Sequence, residues 1–466
     1  MQRLDSTLLE KLREAIGSAN VLLGQAVSDK YQHDWSSETP QLPLAVLRPA
    51  ATAEVAEIMR LCSEYGQAVV VQGGLTGLCG GGIAQPGEMA ISLEKMQGIE
   101  ELDQESMTMT VLAGTPLQVI QEAAAAAGFI FPLDLGARGS CNIGGNIATN
   151  AGGNQVVRFG MTRNLVLGLE AVLADGTVIS ALNKMLKNNA GYDLKHLFIG
   201  TEGTLGIVTR AVLRLFPQAK SRCTALLALD SFDSVISLLH RLGSEFGGSL
   251  STFEAMWASY YDFIVANVAE LSSPFRERYP VYVLTEMEGS DQTRDQETFE
   301  TTLAAAMEDG LVVAAVIAAS EREREDFWHI RDGVGDIGPH LRQAANFDVS
   351  LPISAMKDFL LRIDQDFKAR FNDCHSMVFG HIGDNNLHII ASTGVRADVK
   401  VIYDIVYRAI GSFAGSISAE HGIGIQKMPY LHHSRSEAER ALMRKLKQAL
   451  DPQQILNRNR VMPAGD

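Results

Sequence analysis

Three glycine-rich segments in the first half of this 466-residue chain constrain its fold more than any other feature. The first, QGGLTGLCGGG at 72–82, holds six glycines in eleven residues and continues the apolar run AVVV. The second is LGARGSCNIGGNIATNAGGNQ at 135–155, and the third is FIGTEGTLGIVT at 198–209. Glycine at this density lets backbone N–H groups converge on an anion without obstruction by Cβ atoms. Three such segments, each beside a strand-like run, favour a ligand of dinucleotide size over flexible turns.

Two common nucleotide-binding motifs are excluded. No Lys-Ser/Thr pair follows the first segment, so it is not the P-loop of a nucleoside triphosphatase. The sequence GVGDIG at 333–338 has the glycine spacing of a nicotinamide-binding motif, but a charged run precedes it and Pro339 follows it at once. That motif needs a buried strand before it and a helix after it, so we reject it here.

Local patterns predict an α+β protein of more than one domain. Before the first glycine segment the chain reads as strand, helix and strand, with the helix capped by Thr52 and ended by Gly66. The run NLVLGLEAVLADGTVISA reads as two strands joined at Asp175–Gly176. The charged run EREREDFWHIRD is interpreted as a solvated helix. The order of predicted strands and helices changes after Pro217. We therefore expect a first domain at 1–217, a second at 218–415 and a C-terminal segment at 416–466.

Charge and composition exclude several classes of protein. A net charge of −15 argues against nucleic acid and anionic membranes as partners, because both require clustered Lys and Arg. The five scattered cysteines form neither a disulfide framework nor a zinc ribbon, which fits a reducing cytoplasm. The N-terminus lacks the apolar core of a signal peptide, and no run is long enough to span a membrane, which leaves only peripheral membrane association open. Its apolar residues instead predict a surface helix: Leu4, Leu8, Leu12 and Ile16.

The segment GHIGDNNLH at 380–388 is the clearest candidate for a metal site. Imidazole nitrogens with a carboxylate satisfy divalent zinc or manganese and leave positions open for a substrate. His381 and His388 supply two such ligands, and Glu420 in GSISAEHGIGI is a third candidate. The alternative is a polar surface loop that happens to contain two histidines.

The glycine segments, followed by GHIGDNNLH and SAEHGIG, resemble the vanillyl-alcohol-oxidase and p-cresol-methylhydroxylase superfamily of flavoproteins. Within it, the chain is similar to the branch of FAD-linked D-2-hydroxyacid dehydrogenases, which act on D-lactate or D-2-hydroxyglutarate. The resemblance covers most of the chain. It implies a two-subdomain FAD-binding domain, an α+β substrate-binding cap domain, and a C-terminal segment that returns to complete the active site. It also implies a homodimer.

The resemblance assigns residues to FAD. The pyrophosphate loop would be Gly73, Gly74, Leu75, Thr76, Gly77, Gly80 and Gly81. The ribityl chain and isoalloxazine would be lined by Pro132, Gly139, Ser140, Gly144, Gly145, Asn146, Thr149 and Gly152. The adenine and ribose end would be near Glu202, Gly206 and Ile207, and Asn457 near the end of the chain is a further candidate. No histidine lies between His33 and His196, so we expect noncovalent FAD.

The resemblance also implies a reaction. His381, His388 and Glu420 would bind the metal, and His421 would be the catalytic base. The substrate hydroxyl and carboxylate would chelate the metal, which lowers the pKa of the hydroxyl group. A histidine then takes the hydroxyl proton while the Cα hydride moves to the flavin N5, which gives a 2-keto acid.

Arg331 matches the arginine that binds the substrate carboxylate in this branch, and Asn386 matches a polar residue near the substrate. On the sequence alone, Arg331 reads equally well as a surface residue of a charged helix.

Departures from the family pattern bear on the substrate. Asn385 stands where glycine is usual, and it is tolerated if that position has positive φ, which Asn adopts more readily than most residues. Asn346 replaces a basic residue that helps hold the distal carboxylate of hydroxyglutarate, and Gly335 replaces a hydroxyl residue. Arg342 is a nearby substitute. A smaller acid such as D-lactate fits these losses most simply, with D-2-hydroxyglutarate and D-malate as alternatives.

Three further points stay open on the sequence. The electron acceptor is an electron-transfer flavoprotein, a quinone or another oxidant. Two alternative functions stay open. One is a metal-independent flavin oxidase, and the other is a metallohydrolase or phosphate-binding protein without flavin. His375, His432 and His433 are interpreted as structural or solvated residues, and the role of His340 stays undecided.

Overall fold

The structure is a computed structural model that describes residues 4–269, 271–336 and 341–463. It divides into two compact units. Unit 1 comprises residues 1–153, 159–218 and 420–466, and unit 2 comprises residues 154–158 and 219–419. The chain therefore passes between the units four times. The change of unit at 218 and 419 lies close to the expected domain limits at 217 and 415, but the excursion of residues 154–158 into unit 2 was not anticipated.

Unit 1 contains two mixed α/β layers and the C-terminal helix. Its strands are β1 (Val21–Leu22), β2 (Val46–Leu47), β3 (Val69–Gln72), β4 (Met89–Ser92), β5 (Ile99–Asp103), β6 (Thr108–Leu112), β7 (Phe129–Ile130), β8 (Val166–Val172), β9 (Val178–Ala181), β10 (Ile207–Arg214) and β11 (Phe216–Pro217). Its helices are α1 (Ser6–Ile16), α2 (Thr52–Tyr65), α3 (Leu117–Ala126), α4 (Ile143–Thr149), α6 (Thr162–Leu165) and α13 (Glu437–Leu450), and the short α5 (Val156–Phe159) lies at the passage between the units.

The strands of unit 1 form a four-stranded sheet of order β1-β2-β4-β3, a five-stranded sheet of order β5-β6-β10-β8-β9, and the β11-β7 pair. The four-stranded sheet is parallel from β2 through β4 to β3, and the five-stranded sheet is antiparallel throughout. Both sheets contribute to one apolar core. The C-terminal segment joins the first sheet through a parallel bridge between Val69 and Leu456.

Local sequence signals explain several elements of unit 1. Leu8, Leu12 and Ile16 form the buried face of α1, as their spacing predicts. Gly66 ends α2 in the left-handed conformation at φ +62°. The Asp175–Gly176 turn joins β8 to β9 as expected. The prediction that Thr52 caps α2 is wrong, because Ala51 occupies the cap position and the Thr52 hydroxyl instead donates to Glu170 at 2.7 Å.

Unit 2 is built on one seven-stranded antiparallel sheet of order β15-β12-β14-β13-β17-β18-β16. Its strands are β12 (Ser221–Leu229), β13 (Leu250–Trp257), β14 (Val281–Gly289), β15 (Ala314–Ile317), β16 (Ala345–Ser350), β17 (His375–His381) and β18 (Asn386–Ser392). Its helices are α7 (Phe232–Phe246), α8 (Ala258–Asn267), α9 (Gln292–Glu308), α10 (Glu321–Asp332), α11 (Ile353–Arg370) and α12 (Asp398–Ser412).

Helices α8 and α10 pack against this sheet and share an apolar core with it. The charged run at 321–332 is the helix α10, but it is not fully solvated: Phe327, Ile330 and Arg331 are buried. A 3₁₀ turn at 333–335 follows α10, so the rejected nicotinamide motif begins after a helix rather than after a strand. The end of that motif, Pro339 and His340 lie outside the described residues.

The five cysteines are free thiols, and four of them are buried. None of the helices described is both long enough and apolar enough to cross a membrane.

Candidate functional site

The first two glycine segments lie against each other in unit 1. A Cβ atom on Gly74 would lie 2.0 Å from the Ser140 carbonyl oxygen, so only glycine allows the two backbones to approach this closely. A Cβ atom on Gly73 would make only ordinary contact with the backbone of Gly145, at 3.7 Å. The Asn146 Oδ1 atom beside them is buried, and it has no hydrogen-bond partner among the described residues. A backbone cradle with an unsatisfied buried acceptor fits a bound cofactor with hydroxyl groups, as FAD has.

The third glycine segment is tied to the end of the chain. Asn457 accepts a hydrogen bond from the Val71 N–H at 2.8 Å and donates one to the Glu202 carbonyl oxygen at 2.7 Å. Asn457 therefore links β3, which leads into the first glycine segment, to the third segment. A single side chain from the C-terminal segment thus fixes the spacing of two expected cofactor loops.

The Glu202 side chain holds the turn that follows His421. Its two oxygens accept hydrogen bonds from the backbone N–H groups of Ile423 at 2.5 Å and of Gly424 at 2.7 Å. Glu202 itself has positive φ, at +52°. Burial raises the pKa of the Glu202 carboxyl group, although the two N–H donors oppose this effect. We call Glu202 and residues 422–424 the Glu202 clamp.

Glu420 is also held within unit 1. Its Oε1 atom accepts a hydrogen bond from the Gly153 N–H at 2.6 Å. A Cβ atom on Gly152 would lie only 2.0 Å from the same oxygen, so a larger residue at this position would displace the Glu420 carboxylate. The segment that carries Glu420 and His421 is thus fixed at one end by the second glycine segment and at the other by the Glu202 clamp.

In unit 2, strands β17 and β18 bring the two predicted histidine ligands together. The rings of His381 and His388 are 5.3 Å apart between centroids. The Nδ1 atom of His381 is 2.6 Å from the Glu254 carboxylate on the neighbouring strand β13, and Glu254 is almost fully buried. A carboxylate that holds one ring nitrogen is the usual support of a metal-binding histidine, because it orients the ring and makes the other nitrogen a better ligand.

Arg331 belongs to the same buried group, which excludes the alternative of a surface arginine on a charged helix. Its Nε atom donates to Glu254 at 3.0 Å, and its Nη2 atom lies 3.0 Å from His381 Nε2. Burial would lower the pKa of the Arg331 guanidinium, but the Glu254 and Asp332 carboxylates raise it. The same charges act in reverse on Glu254: burial would raise the pKa of this carboxyl group, but His381 and Arg331 lower it to about 2.

The turn between the two histidines has the geometry that Asn385 requires. Asn385 has φ +73°, so the prediction of a left-handed residue at this position is confirmed. The next residue, Asn386, is buried and donates to Asp348 Oδ1 at 2.7 Å. Its Oδ1 atom has no hydrogen-bond partner among the described residues. Asn386 therefore has an acceptor available for a ligand, and Asp348 orients it.

The residues expected to recognise a distal carboxylate are not assembled in a comparable way. Asn346 and Arg342 are exposed, and the Arg342 guanidinium forms no ion pair within the described part of the chain. A Cβ atom on Gly335 would have no described atom within 4 Å.

The predicted residues therefore fall into two sets. The FAD residues and Asn457 all belong to unit 1, as do Glu420 and His421. His381, His388, Arg331, Asn386 and Arg342 belong to unit 2.

Sequence reasoning missed two acidic residues, Glu254 and Asp348, and it assigned Glu202 to the cofactor without its hydrogen bonds from Ile423 and Gly424. Glu254 is the lone charged residue in the strand LSTFEAMW, and a charge in an apolar strand is a signal that was available. Asp348 in NFDVSLP gave a similar signal. Nothing in the local sequence of Glu202 indicates that it holds residues more than two hundred positions away.

Known proteins match the chain over its full length. Residues 43–181 match the model of the FAD binding domain, and residues 218–461 match the model of the C-terminal domain of FAD linked oxidases. The D-2-hydroxyglutarate dehydrogenase of Xanthomonas citri pv. viticola is 38% identical over 465 residues, which cover 98% of this chain and 97% of that protein. The mitochondrial D-2-hydroxyglutarate dehydrogenase of Arabidopsis thaliana is 37% identical, over 99% of this chain and 82% of that protein.

Solved structures agree on the fold. p-Cresol methylhydroxylase with bound substrate superimposes with a TM-score of 0.79 at 14% identity, over 99% of this chain and 97% of that chain. Alkyldihydroxyacetonephosphate synthase superimposes with a TM-score of 0.75 at 16% identity, over 99% of this chain and 85% of that chain. The α+β fold and the resemblance drawn from the glycine segments are confirmed. The chain belongs to the FAD-linked oxidase family, within the p-cresol-methylhydroxylase superfamily of flavoproteins, and is an oxidoreductase.

Proposed function

We propose that the protein oxidises a D-2-hydroxy acid to the 2-keto acid and that a divalent metal, zinc or manganese, is held by His381, His388 and Glu420. The observation that carries this proposal is the buried group of Glu254, His381 and Arg331 beside His388. In this group the Glu254 carboxylate orients the His381 imidazole as a metal ligand, and the planar guanidinium of Arg331 suits the binding of a carboxylate. Relatives named D-2-hydroxyglutarate dehydrogenases agree with this chemistry.

Glu420 is proposed as the third ligand partly from its position in the chain. The N–H of Ala419 donates to the Asp348 carbonyl oxygen at 3.2 Å, and Asp348 is the strand partner of His388. Glu420 is the next residue after Ala419, so its Cα lies one peptide unit away.

Each protein group has a role in the proposed reaction. Arg331 binds the substrate carboxylate, and Asn386 contacts the substrate through its Oδ1 atom. His421 removes the hydroxyl proton at its ring nitrogen, and the Glu202 clamp fixes the turn that carries it. When bound, FAD would supply the hydride acceptor, and a divalent ion at His381, His388 and Glu420 would supply the positive charge that lowers the pKa of the hydroxyl group.

The substrate class divides into two candidates. The relatives make D-2-hydroxyglutarate the first acid to test. Asn346 favours a smaller acid such as D-lactate, because an amide cannot pair with a second carboxylate as a cation does. D-malate is intermediate between them in length.

Further properties are proposed on the resemblance alone. These are noncovalent FAD, a homodimer, a cytoplasmic location, and an electron-transfer flavoprotein or a quinone as the electron acceptor.

The first test is anaerobic reduction of the enzyme-bound flavin. The purified protein is mixed with D-lactate, D-2-hydroxyglutarate, D-malate and the L enantiomers, and the flavin absorbance is followed. We expect one D acid to bleach the flavin band fastest. A protein that stays colourless after FAD is supplied, or that is bleached equally by both enantiomers, contradicts the proposal.

Chelation tests the metal separately. Dialysis against a chelator should abolish bleaching while the oxidised flavin spectrum remains, and zinc or manganese should restore it. Unchanged bleaching after chelation would favour a metal-independent flavin oxidase. As a matched pair, Arg331→Ala should raise KM strongly, and Arg342→Ala should have little effect if D-lactate is the substrate.

A further inference from the structure

A basic cavity lies in unit 1 between helix α13 and the last loop of the chain. It has a volume of about 360 Å³. One wall is a single face of α13 formed by Ala441, Arg444, Lys445 and Gln448, and the opposite wall is the loop at 454–463. A volume of this size accommodates a small molecule rather than a protein segment.

The cavity has a charge opposite to that of the whole protein. Five cationic residues line it and no Asp or Glu does, whereas the chain carries a net charge of −15. Two of the cations are already occupied: Lys447 binds the carbonyl oxygens of Thr204 and Leu456, and Arg460 is buried against Glu88. Arg444 and Lys445 face the cavity from α13, and Arg458 lines it from the loop, where it also donates to the Pro86 carbonyl oxygen at 3.2 Å.

The three remaining cations are poorly neutralised. Lys445 forms no ion pair within the described part of the chain. The Nε atom of Arg458 is buried without a hydrogen-bond partner among the described residues, and Glu88 is its nearest carboxylate at 3.5 Å. Arg444 pairs with Glu437, which is largely exposed on the same helix. Among the described residues, Lys445 and Arg444 therefore share only the exposed carboxylate of Glu437 on the wall formed by α13, so a bound anion would neutralise positive charge there.

The backbone of the loop wall is strained. Gln454, Asn457, Asn459 and Val461 all have positive φ, between +44° and +64°. This conformation is unfavourable for residues other than glycine, most of all for the β-branched Val461. Such strain is found where a loop is shaped to hold a ligand.

We propose that this cavity binds a small polyanion with phosphate or carboxylate groups, at a site separate from the substrate. None of the glycines assigned to FAD lines the cavity. Asn457 does line it, and the same side chain holds the Val71 N–H and the Glu202 carbonyl oxygen. A ligand in the cavity therefore contacts the residue that spaces two cofactor loops, and its binding is expected to change the flavin spectrum.

The test is calorimetric titration of the FAD-loaded enzyme in chloride buffer. Inorganic pyrophosphate and tricarballylate serve as the phosphate and carboxylate probes, and the flavin absorbance is recorded in parallel. We expect saturable binding of at least one probe, with a change in the flavin band. The probe that binds more tightly identifies the phosphate or the carboxylate class.

Variants locate the binding. Lys445→Glu and Arg458→Ala should each weaken binding at least tenfold. Lys400→Glu, which makes the same charge change at an exposed position of α12, is the matched control and should bind as the wild type does.

Three outcomes would overturn the proposal. They are no binding of either probe, equal weakening by Lys400→Glu, and loss of probe binding as FAD occupancy rises, since that would make the cavity part of the cofactor site. None of these depends on the identity of the oxidised acid.

Discussion

The Glu202 clamp gives the sharpest prediction about catalysis. Glutamine at position 202 keeps the shape of the side chain but replaces one acceptor oxygen with an NH₂ group. In the native protein the two oxygens accept hydrogen bonds from the N–H groups of Ile423 and Gly424, which lie two and three residues after His421. In Glu202→Gln one of these N–H groups faces the NH₂ group of the glutamine, which is also a donor. The other N–H group still has an acceptor, but this oxygen no longer carries negative charge.

The expected magnitude follows from these two bonds. A hydrogen bond to a charged group contributes about 1.5–3 kcal/mol, and an unpaired donor adds a further penalty of similar size. Some relaxation of the turn is expected, so we take about 2–3 kcal/mol as the loss to the ordered turn. Since about 1.4 kcal/mol corresponds to a tenfold change in rate, full expression of this loss at His421 lowers kcat about 30- to 150-fold.

The assay is steady-state oxidation of the preferred acid with an artificial electron acceptor. In the proposed mechanism the turn positions the base rather than the substrate carboxylate, so kcat should fall with little change in KM. Flavin content per protein should stay the same. Glu38→Gln is the matched control, since Glu38 is a half-buried carboxylate of unit 1 whose pKa is also raised by burial. If Glu202→Gln keeps kcat within twofold of the wild type with full flavin content, the clamp does not position the base.

Three further predictions follow from single contacts. Gly152→Ala places a methyl group on the Glu420 carboxylate, and we expect loss of bound metal by elemental analysis with FAD retained; normal metal content would contradict this. Asn385→Val should lower the free energy of unfolding by about 1–2 kcal/mol, because a β-branched residue is strained at positive φ, whereas Asn385→Gly should be tolerated in the same denaturation experiment. Burial opposes ionisation of Glu170, but Thr52 and its other donors outweigh burial and lower the pKa of this carboxyl group below 4.5. The stability that Glu170 provides is therefore present above about pH 4.5 and is lost as the pH falls through the pKa of Glu170 in the folded protein. In Glu170→Gln the free energy of unfolding should depend less steeply on pH in acid. Equal slopes for the variant and the wild type would contradict this.

Features set by a few neighbouring residues could be predicted from the sequence. The positive φ of Asn385 and the end of α2 at Gly66 depend on local backbone preferences. The pairing of His381 with His388 follows from two strands joined by a short turn. Each of these features depends on only a few neighbouring residues, so the residue types and their spacing are enough to predict it.

Features set by distant contacts could not be predicted in this way. Thr52 has the right residue type for a helix cap, but its hydroxyl group donates a hydrogen bond to the Glu170 carboxylate on strand β8 instead. Arg331 has the sequence surroundings of a surface residue, but Glu254, on a strand 77 positions away, makes its burial favourable. In both cases the deciding partner lies far along the chain, and tertiary contacts override local preference.

The division of the chain between the units bears on the order of folding during synthesis. Apart from five residues, unit 2 is one continuous stretch, so nearly all of it is available once residue 419 has been made. Unit 1 needs Leu456 beside Val69 and Asn457 between two of its loops, and these residues are made only after unit 2. Domains usually fold in the order in which they emerge from the ribosome. Here the unit that is synthesised first is completed last, and its glycine segments reach their final spacing only after unit 2 can already have folded.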